Sequence, residues 1–264
     1  MYDSDEAAAI AHGTMQHITG LGKLQRLDMH DILLTELQLE AYQQAKSALR
    51  QGVPLQYVFG EAWFMGHRFS VGPAVLIPRP ETEELVHWII AEEKPRQIID
   101  IGTGSGCIAV SLKLRICEAA VVAIDASEAA LSVAAENART MGVSIQFDLL
   151  DFLDAEARDA LPAFDVIVSN PPYIPLTERE TLHANVRDHE PAAALFVPGD
   201  DALQFYRAIA DFGLTHLLPQ GSIYCELHRV YAEDAATLFK GYGYSDVELK
   251  EDLHGAPRML RARP

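Results

Sequence analysis

The chain contains 264 residues, of which 49% are hydrophobic, and its 21 Lys and Arg residues against 38 Asp and Glu residues give a formal net charge of −17. The apolar content excludes an intrinsically disordered chain, and the length allows one large domain or two unequal ones. The negative charge disfavours tight binding to bare nucleic acid, whose affinity comes mainly from neutralised phosphates. It either suits a basic or neutral partner or serves solubility alone.

The three cysteines, Cys107, Cys117 and Cys225, lack the spacing of a metal site and form no obvious disulfide framework, which fits a reducing compartment. Residues 1–6 carry acidic side chains and no apolar signal core. No apolar run approaches the length that spans a membrane. We therefore expect a cytoplasmic protein with no metal centre and no membrane segment.

Residues 1–52 are predicted to form a small helical domain. Thr35 followed by Gln38 is the pattern of a capping box, and Gly52 with Pro54 marks the end of the helix that this box begins. Helices this short are not stable alone, so we expect them to pack on the domain that follows. Their free face either holds a partner or serves only as a structural cap.

Residues 53–80 are predicted to connect this domain to the next through a linker and a β-hairpin. Residues 54–60 suggest the linker. Apolar runs on both sides of Gly66 suggest two short strands that turn at this glycine.

An extended stretch follows the hairpin, because Pro78 and Pro80 have fixed φ angles and lack backbone N–H donors. Acidic residues directly after it suit the positive end of a helix. Arg79, between the two prolines, either lies near the mouth of an active site or pairs with Glu81 or Glu83.

Residues 81–264 alternate between strand-like and helix-like segments, the pattern of a parallel sheet covered by helices. Five apolar runs predict strands, at residues 97–101, 120–124, 144–148, 164–168 and 222–226. Two later runs, 245–250 and 258–262, predict a terminal hairpin. We therefore expect an α/β fold for this larger domain.

Residues 102–106 read Gly-Thr-Gly-Ser-Gly and lie between a predicted strand and a predicted helix. Small residues allow a tight turn and close approach of a ligand, and the helix N-terminus behind them favours an anion such as a carboxylate. A dinucleotide fingerprint needs its third glycine at position 107, where Cys107 stands, which argues against NAD without excluding it. The candidate cofactor-binding residues of this loop are Gly102, Thr103, Gly104, Ser105 and Gly106.

Two further residues are candidates for the same cofactor. Asp125 ends the next predicted strand, roughly 20 residues after the glycine loop, where a carboxylate accepts hydrogen bonds from both ribose hydroxyls. The alternative for Asp125 is a helix N-cap. Phe152 is placed to line an adenine site, and its alternative is a core aromatic.

Residues 169–173, Ser-Asn-Pro-Pro-Tyr, follow the β-branched run 164–168. The two prolines end the strand in a stiff loop at its carboxyl end, where open α/β sheets place their ligands. The side-chain carbonyl of Asn170 and the backbone carbonyl of Pro171 are two acceptors, and Tyr173 adds an aromatic face, which together suit a planar –NH₂ group. An isolated Asn-Pro-Pro is more often an ordinary turn, but the neighbouring motifs favour a site.

Five stretches carry a resemblance to a known family: residues 54–60, 76–83, 100–106, 169–174 and 186–191. They resemble class I S-adenosylmethionine-dependent methyltransferases and, more narrowly, the protein-(glutamine-N5) methyltransferases that modify peptide chain release factors, the HemK family. Ile-Pro-Arg-Pro-Glu-Thr-Glu at 77–83 is the family-specific part, since Asn-Pro-Pro-Tyr is shared with DNA and RNA amino-group methyltransferases. Phe152 stands where relatives can have tryptophan.

The resemblance implies a Rossmann-like seven-stranded sheet, with S-adenosylmethionine bound by residues 102–106, Asp125, Phe152 and Asn170. It implies that residues 170–173, including Pro172, hold the glutamine of a Gly-Gly-Gln loop in a release factor. It also implies that the N-terminal helices help to grip that protein. We expect no direct contact with nucleic acid or a membrane, and a monomer.

Other substrates stay open at this point. The Asn-Pro-Pro-Tyr motif suits the N6 amino group of adenine in DNA or RNA equally well, although the charge of −17 disfavours nucleic acid. A glutamine methyltransferase of a ribosomal protein is a nearer alternative. A catalytically silent cofactor-binding module is a further one, which the intact acceptor motif disfavours.

Overall fold

A computed structural model describes residues 4–28 and 33–264 of the chain. Four helices come first: α1 (Ser4–Thr19), α2 (Lys23–Asp28), α3 (Glu36–Arg50) and α4 (Leu55–Phe59). The predicted capping box of α3 is confirmed, because Thr35 and Gln38 each accept a hydrogen bond from the backbone N–H of the other. The parts of the predicted helical domain at residues 1–3 and 29–32 lie outside the described residues.

The segment 54–60, expected as a linker, contains the short helix α4 instead. This helix follows Pro54 and ends at Gly60, whose φ of +69° is the left-handed conformation of a helix C-terminus. Tyr57 packs beside the buried residues Ala62, Val71, Val75 and Ile77, and its hydroxyl donates to the carbonyl of Val75 at 2.6 Å. Burial of this aromatic side chain therefore holds the segment in one conformation.

The predicted hairpin is confirmed as strands β1 (Glu61–Phe64) and β2 (His67–Ser70). Met65 and Gly66 both have positive φ angles, +52° and +79°, as a two-residue hairpin turn requires. The Met65 N–H donates to the carboxylate of Glu83, and the side-chain amide of Asn137 bonds to the backbone of Ser70. The hairpin is thereby fixed to the larger domain.

The remaining chain forms one mixed seven-stranded sheet in the order β5-β4-β3-β6-β7-β9-β8. Its strands are β3 (Gln97–Ile101), β4 (Ala120–Asp125), β5 (Gln146–Leu149), β6 (Phe164–Ser169), β7 (Leu217–Glu226), β8 (Asp246–Glu251) and β9 (Pro257–Arg263). The strands β3 to β7 are parallel to one another, and β9 is antiparallel to both of its neighbours. This arrangement confirms the predicted α/β sheet and its terminal hairpin.

Helices cover both faces of the sheet. They are α5 (Pro80–Glu92), α6 (Cys107–Arg115), α7 (Glu128–Thr140), α8 (Ala155–Asp159), α9 (Ala184–His189), α10 (Ala192–Leu195), α11 (Gln204–His216) and α12 (Ala232–Gly241), with a 3₁₀ helix at Leu176–Thr181. One buried cluster lies under α11 and α12, and the other lies under α5, α6 and α7. The fold is thus a three-layer α/β domain with a smaller helical region at its N-terminal end.

Several boundaries differ from the sequence predictions. Strand β5 begins at Gln146 rather than at residue 144, and α11 ends at His216, so that β7 begins at Leu217 instead of Ser222. The early part of β7 contains a register shift and a positive φ of +67° at Gln220. Such irregular pairing depends on the neighbouring strand β6 and has no local pattern in the sequence. The short helices α8, α9 and α10 between β5 and α11 were not predicted, because helices of four to six residues are too short to show a helical period.

We expect Gly106→Ala to destabilise the protein strongly. Gly106 has a φ of +78°, and an added Cβ would lie 3.0 Å from the Cβ and 3.2 Å from the Cα of Ala134 on α7. The left-handed conformation costs about 1–2 kcal/mol and overpacking a further 1–3 kcal/mol or so. Denaturant unfolding followed by circular dichroism measures the loss.

The matched control is Gly142→Ala, since Gly142 has a φ of +68° but no atom within 4 Å of the added Cβ. This variant loses only the conformational term of about 1–2 kcal/mol. Equal losses in the two variants would show that α6 and α7 do not approach each other closely at Gly106.

Candidate active site

Pairing of β3 with β6 places two sequence motifs side by side. Ile101 and Ser169 are opposite each other at the ends of these strands, and the Ser169 hydroxyl donates to the Ile101 carbonyl at 2.7 Å. The glycine loop follows Ile101, and the Asn-Pro-Pro-Tyr segment follows Ser169. A cavity of about 270 Å³ lies where these two loops meet. It occupies the carboxyl edge of the parallel strands, where α/β sheets bind ligands.

The glycine loop forms one wall of this cavity through residues 102–105. Gly102 and Gly104 have φ angles of +72° and +54°, and a Cβ on either would have no atom within 4 Å. No other part of the protein therefore covers the backbone at these two glycines, which permits close approach of a ligand. Gly106 is not among the lining residues, because it packs on Ala134 of α7.

Asp125 lines the cavity at the end of β4. One carboxylate oxygen accepts from the Gly104 N–H and the other from the Ser127 N–H, each at 2.9 Å. Ser127, not Asp125, is the N-cap of α7, since its hydroxyl accepts from the Ala130 N–H. The two backbone bonds fix the orientation of the Asp125 carboxylate, and each oxygen keeps a further lone pair for a hydroxyl donor.

Phe152 both lines the cavity and belongs to the core. It is 4% exposed and packs edge-on against Phe212 with ring centroids 5.3 Å apart. Phe205, in the first turn of α11, also lines the cavity. Sequence reasoning missed Phe205 because a single aromatic residue at a helix start is typical of an ordinary core helix.

Asn170, Pro171 and Pro172 form the opposite wall. The Asn170 side-chain NH₂ donates to the Thr82 hydroxyl at 3.2 Å. Within the described part of the chain, no hydrogen bond reaches Asn170 Oδ1 or the Pro171 carbonyl. Both residues line the cavity, and neither oxygen is engaged by a donor of the described chain.

Tyr173 lies behind this wall and is not a lining residue. Its hydroxyl donates to Glu226 Oε1 at 3.3 Å, and its ring is tilted against His228 with centroids 5.6 Å apart. Burial, together with the Glu226 carboxylate, raises the pKa of the Tyr173 phenol well above its usual value. Tyr173 thus stays protonated and donates to Glu226.

Thr82 and Glu226 were not identified from the sequence as site residues. Thr82 lies in the first turn of α5 and lines the cavity, while Glu226 ends β7 beneath it. Each is 2% exposed, and the Thr82 hydroxyl donates to Glu226 Oε2 at 2.5 Å. Burial raises the pKa of the Glu226 carboxyl above its ordinary value, although the Thr82 hydroxyl and the charge of Arg258 oppose the shift.

Arg79 lines the cavity and pairs with neither Glu81 nor Glu83 but with Glu190. The Arg79 guanidinium lies 2.6 Å from one oxygen of Glu190, and the Ile77 N–H donates to the other at 3.2 Å. The Glu190 side chain is only 1% exposed. Two of the segments that carried the resemblance, 76–83 and 186–191, are therefore joined at the cavity by a buried carboxylate.

A second buried carboxylate, that of Asp100, supports the glycine loop. One of its oxygens accepts from the Thr103 hydroxyl at 2.6 Å and from the Ala109 N–H at 3.2 Å, and burial raises its pKa to about 7. Its other oxygen has no hydrogen-bond partner among the described residues. Ser105 lines the cavity, but it is only 2% exposed and its side chain lies beside the Cys107 thiol, so this wall presents mainly backbone to a bound molecule.

Comparisons with known proteins define the class of this chain. A family model described as "Methyltransferase small domain" matches residues 81–188, and one described as "PrmC N-terminal domain" matches residues 2–60. A methyltransferase of known structure from Pyrococcus furiosus is 16% identical and superimposes with a TM-score of 0.59 over 81% of this chain and 98% of its own. The T. thermophilus 16S rRNA N2 G1207 methyltransferase, solved with AdoMet and guanosine, is 19% identical with a TM-score of 0.53 over 77% of this chain and 49% of its own. The fold is that of the class I methyltransferases.

A closer relative identifies the family. The release factor glutamine methyltransferase of Bacteroides thetaiotaomicron is 39% identical over 263 residues, which cover 99% of this chain and 94% of the relative. The chain belongs to the release factor glutamine methyltransferase family and is an enzyme.

Within residues 4–28 and 33–264, no helix combines the length and apolar character needed to cross a membrane. The His, Cys, Asp and Glu side chains of these residues form no group of three or more that could hold a metal ion.

We expect Arg79→Ala to lower the free energy of unfolding by about 3 kcal/mol, because the substitution leaves the Glu190 carboxylate buried without its cation. Arg68→Ala is the matched control, since the Arg68–Glu61 pair spans 3.1 Å but the Arg68 side chain is 65% exposed. The control is expected to lose about 1 kcal/mol or less. Chemical denaturation compares the two variants, and a loss at Arg79 no larger than that at Arg68 would contradict a buried pair.

Proposed function

We propose that this chain transfers a methyl group from S-adenosylmethionine to the side-chain amide nitrogen, N5, of the glutamine in the Gly-Gly-Gln motif of peptide chain release factors. The observation that carries the proposal is the pair of unused acceptors, Asn170 Oδ1 and the Pro171 carbonyl, at the edge of the cavity. The relatives of 39–40% identity are release factor glutamine methyltransferases, which supports the same substrate.

The cavity suits S-adenosylmethionine by the chemistry of its walls. The exposed backbone of Gly102 and Gly104 suits the polar methionine end of the molecule. The oriented Asp125 carboxylate suits the two ribose hydroxyls, and the Phe152 ring offers an apolar face to adenine. Residues 102–105, Asp125, Phe152 and Asn170 would hold the cofactor, and Gly106 would support the loop.

The residues of this chain act mainly by alignment. An amide nitrogen is a poor nucleophile because its lone pair is delocalised, and the bound cofactor supplies a methyl group activated by its sulfonium. The Asn170 side-chain carbonyl and the Pro171 carbonyl accept the two amide protons of the substrate, which pins the nitrogen in line with that methyl group. The same two dipoles stabilise positive charge as it develops on the nitrogen.

No general base is required before transfer in this scheme. Once the substrate nitrogen carries the methyl group, its protons would be far more acidic than those of the free amide, so one of them would be lost to solvent. The Asn170 and Pro171 carbonyls would accept hydrogen bonds from the amide protons until one of them is released. Pro172 lines the cavity beside the amide, and Tyr173, whose hydroxyl donates to Glu226, supports the loop from behind.

The N-terminal helices are proposed to grip the release factor. A groove of about 640 Å³ lies between α1, α3 and α4, and its walls include Leu37, Tyr57 and Phe59. Leu37 is 79% exposed, so this apolar side chain is open to a partner. We also propose that the enzyme acts as a monomer in the cytoplasm and without direct contact to nucleic acid.

Asn170→Ala removes one of the two acceptors. The loss of one oriented group of this kind lowers kcat by about 10²–10³-fold, so we expect turnover to fall on that scale. The cofactor should still bind, because residues 102–105, Asp125 and Phe152 remain in place. Transfer of a labelled methyl group to a purified release factor measures the rate, and calorimetry measures cofactor binding. Near-normal turnover by this variant would falsify the mechanism.

Asp125→Ala tests the cofactor site directly. Hydrogen bonds to a charged group contribute about 1.5–3 kcal/mol, so we expect S-adenosylmethionine to bind roughly 10–100-fold more weakly. Asp148→Ala is the matched control, because Asp148 lies on the adjacent strand β5 and is not a lining residue. Calorimetric titration of the two variants compares them, and equal affinities would place the ribose elsewhere.

The substrate itself is tested by offering labelled methyl donor with release factors, ribosomal proteins and an oligonucleotide in parallel. We expect label only in the release factors, and mass spectrometry should locate it on the glutamine of the Gly-Gly-Gln motif. Label in the oligonucleotide alone would identify a nucleic-acid methyltransferase. Label in a ribosomal protein alone would show that this protein, and not a release factor, is the substrate.

A further inference from the structure

Three side chains from distant parts of the chain form a continuous hydrogen-bonded path behind the acceptor wall. Asn170 Nδ2 donates to Thr82 Oγ1 at 3.2 Å, and Thr82 Oγ1 donates to Glu226 Oε2 at 2.5 Å. The path is almost sealed from solvent, since Thr82 and Glu226 are each 2% exposed. The backbone carbonyl of Glu226 also accepts from the Tyr206 hydroxyl at 2.9 Å, which fixes the end of β7.

The carboxylate of Glu226, at the end of this path, determines which group donates in each hydrogen bond. An ionised carboxylate only accepts, so the single proton of the Thr82 hydroxyl is committed to Glu226. The Thr82 oxygen then has only lone pairs to offer, and the Asn170 amide must present its NH₂ group to it. An amide turned the other way would set its oxygen against the Thr82 lone pairs.

We propose that Glu226 and Thr82 are positioning residues that hold the Asn170 amide with its oxygen, not its nitrogen, towards the substrate. The inference rests on the proposed function, because it is the Asn170 oxygen that accepts a proton of the substrate amide. A flipped amide would face that substrate with two donors, and the substrate nitrogen would lose one acceptor. Neither positioning residue needs to touch the reacting atoms.

The charged and titratable groups that act on Glu226 come from several elements. They are Glu81 on α5, Cys107 on α6, Tyr173 after β6, Tyr206 on α11 and Arg258 on β9. Because burial raises the pKa of Glu226, its carboxylate takes up a proton at a higher pH than an exposed glutamate does. A protonated Glu226 has a proton of its own to donate to the Thr82 oxygen, so the Thr82 proton is no longer committed to Glu226 and we expect kcat to fall at low pH.

Two substitutions at position 82 separate the hydroxyl from the shape of the side chain. Thr82→Val removes the hydroxyl at nearly constant volume, and we expect kcat to fall about 10–100-fold because the acceptor is no longer held in place. Thr82→Ser keeps the hydroxyl, and we expect it to recover kcat to within about threefold of the wild type. Equal losses in the two variants would overturn the proposal, because packing and not the hydroxyl would then matter.

Glu226→Gln tests the far end of the path. Its amide can donate to Thr82, which frees the Thr82 proton to bond the Asn170 oxygen and flips the catalytic amide. We expect kcat to be at most about one tenth of the wild-type value and not to fall further at low pH. The affinity for S-adenosylmethionine should stay within about threefold of the wild type. A wild-type kcat together with the wild-type decrease of kcat at low pH would overturn the proposal.

A measurement without substrate keeps this inference separate from the proposed function. In the NMR spectrum of the free enzyme, we expect a nuclear Overhauser effect between the Asn170 side-chain NH₂ protons and the Thr82 methyl group, and its loss in Glu226→Gln. Its absence from the folded wild type would overturn the path whatever the substrate proves to be. If the effect is present but no release factor is methylated, the positioning stands and the proposed substrate fails.

Discussion

Hydrogen bonding between the parallel strands β3 and β6 is the constraint on which the site depends. The register that sets Ile101 opposite Ser169 makes both strands end at the same level, and the Ser169 hydroxyl joins the two ends. The glycine loop and the Asn-Pro-Pro-Tyr loop must then leave the sheet side by side. A one-residue slip would turn every side chain of β6 to the other face and separate the loops.

Buried polar groups then set the orientation of the side chains around the cavity. The Asp100 carboxylate supports the glycine loop through Thr103, and the Glu190 carboxylate supports the proline-rich segment through Ile77 and Arg79. Groups of this kind are expensive to bury unless they are hydrogen-bonded, so each one strongly favours a single local arrangement. Binding sites need such rigid support because misplacement by about 1 Å weakens catalysis greatly.

The candidate active site lies at the edge of the sheet, and the N-terminal helices carry a separate groove. The hairpin formed by β1 and β2 lies between them and is attached to the larger domain through Glu83 and Asn137. The groove between α1, α3 and α4 is therefore carried on a fixed support. A protein substrate that contacts both regions would have its reactive side chain presented to the cavity while its body rests on the helices.

The sequence by itself determined the elements whose signals are local. The capping box at Thr35 and Gln38, the turn at Gly66 and the strand before Asn170 each depend on residues within a few positions of one another, and each was predictable. Only the tertiary structure decided that Thr82 lies between Asn170 and Glu226, positions separated from it by 88 and 144 residues along the chain. Such contacts have no local pattern, because they arise only when the sheet order brings α5, β6 and β7 together. The partner of Arg79 and the path to Glu226 could therefore be read only from the folded chain.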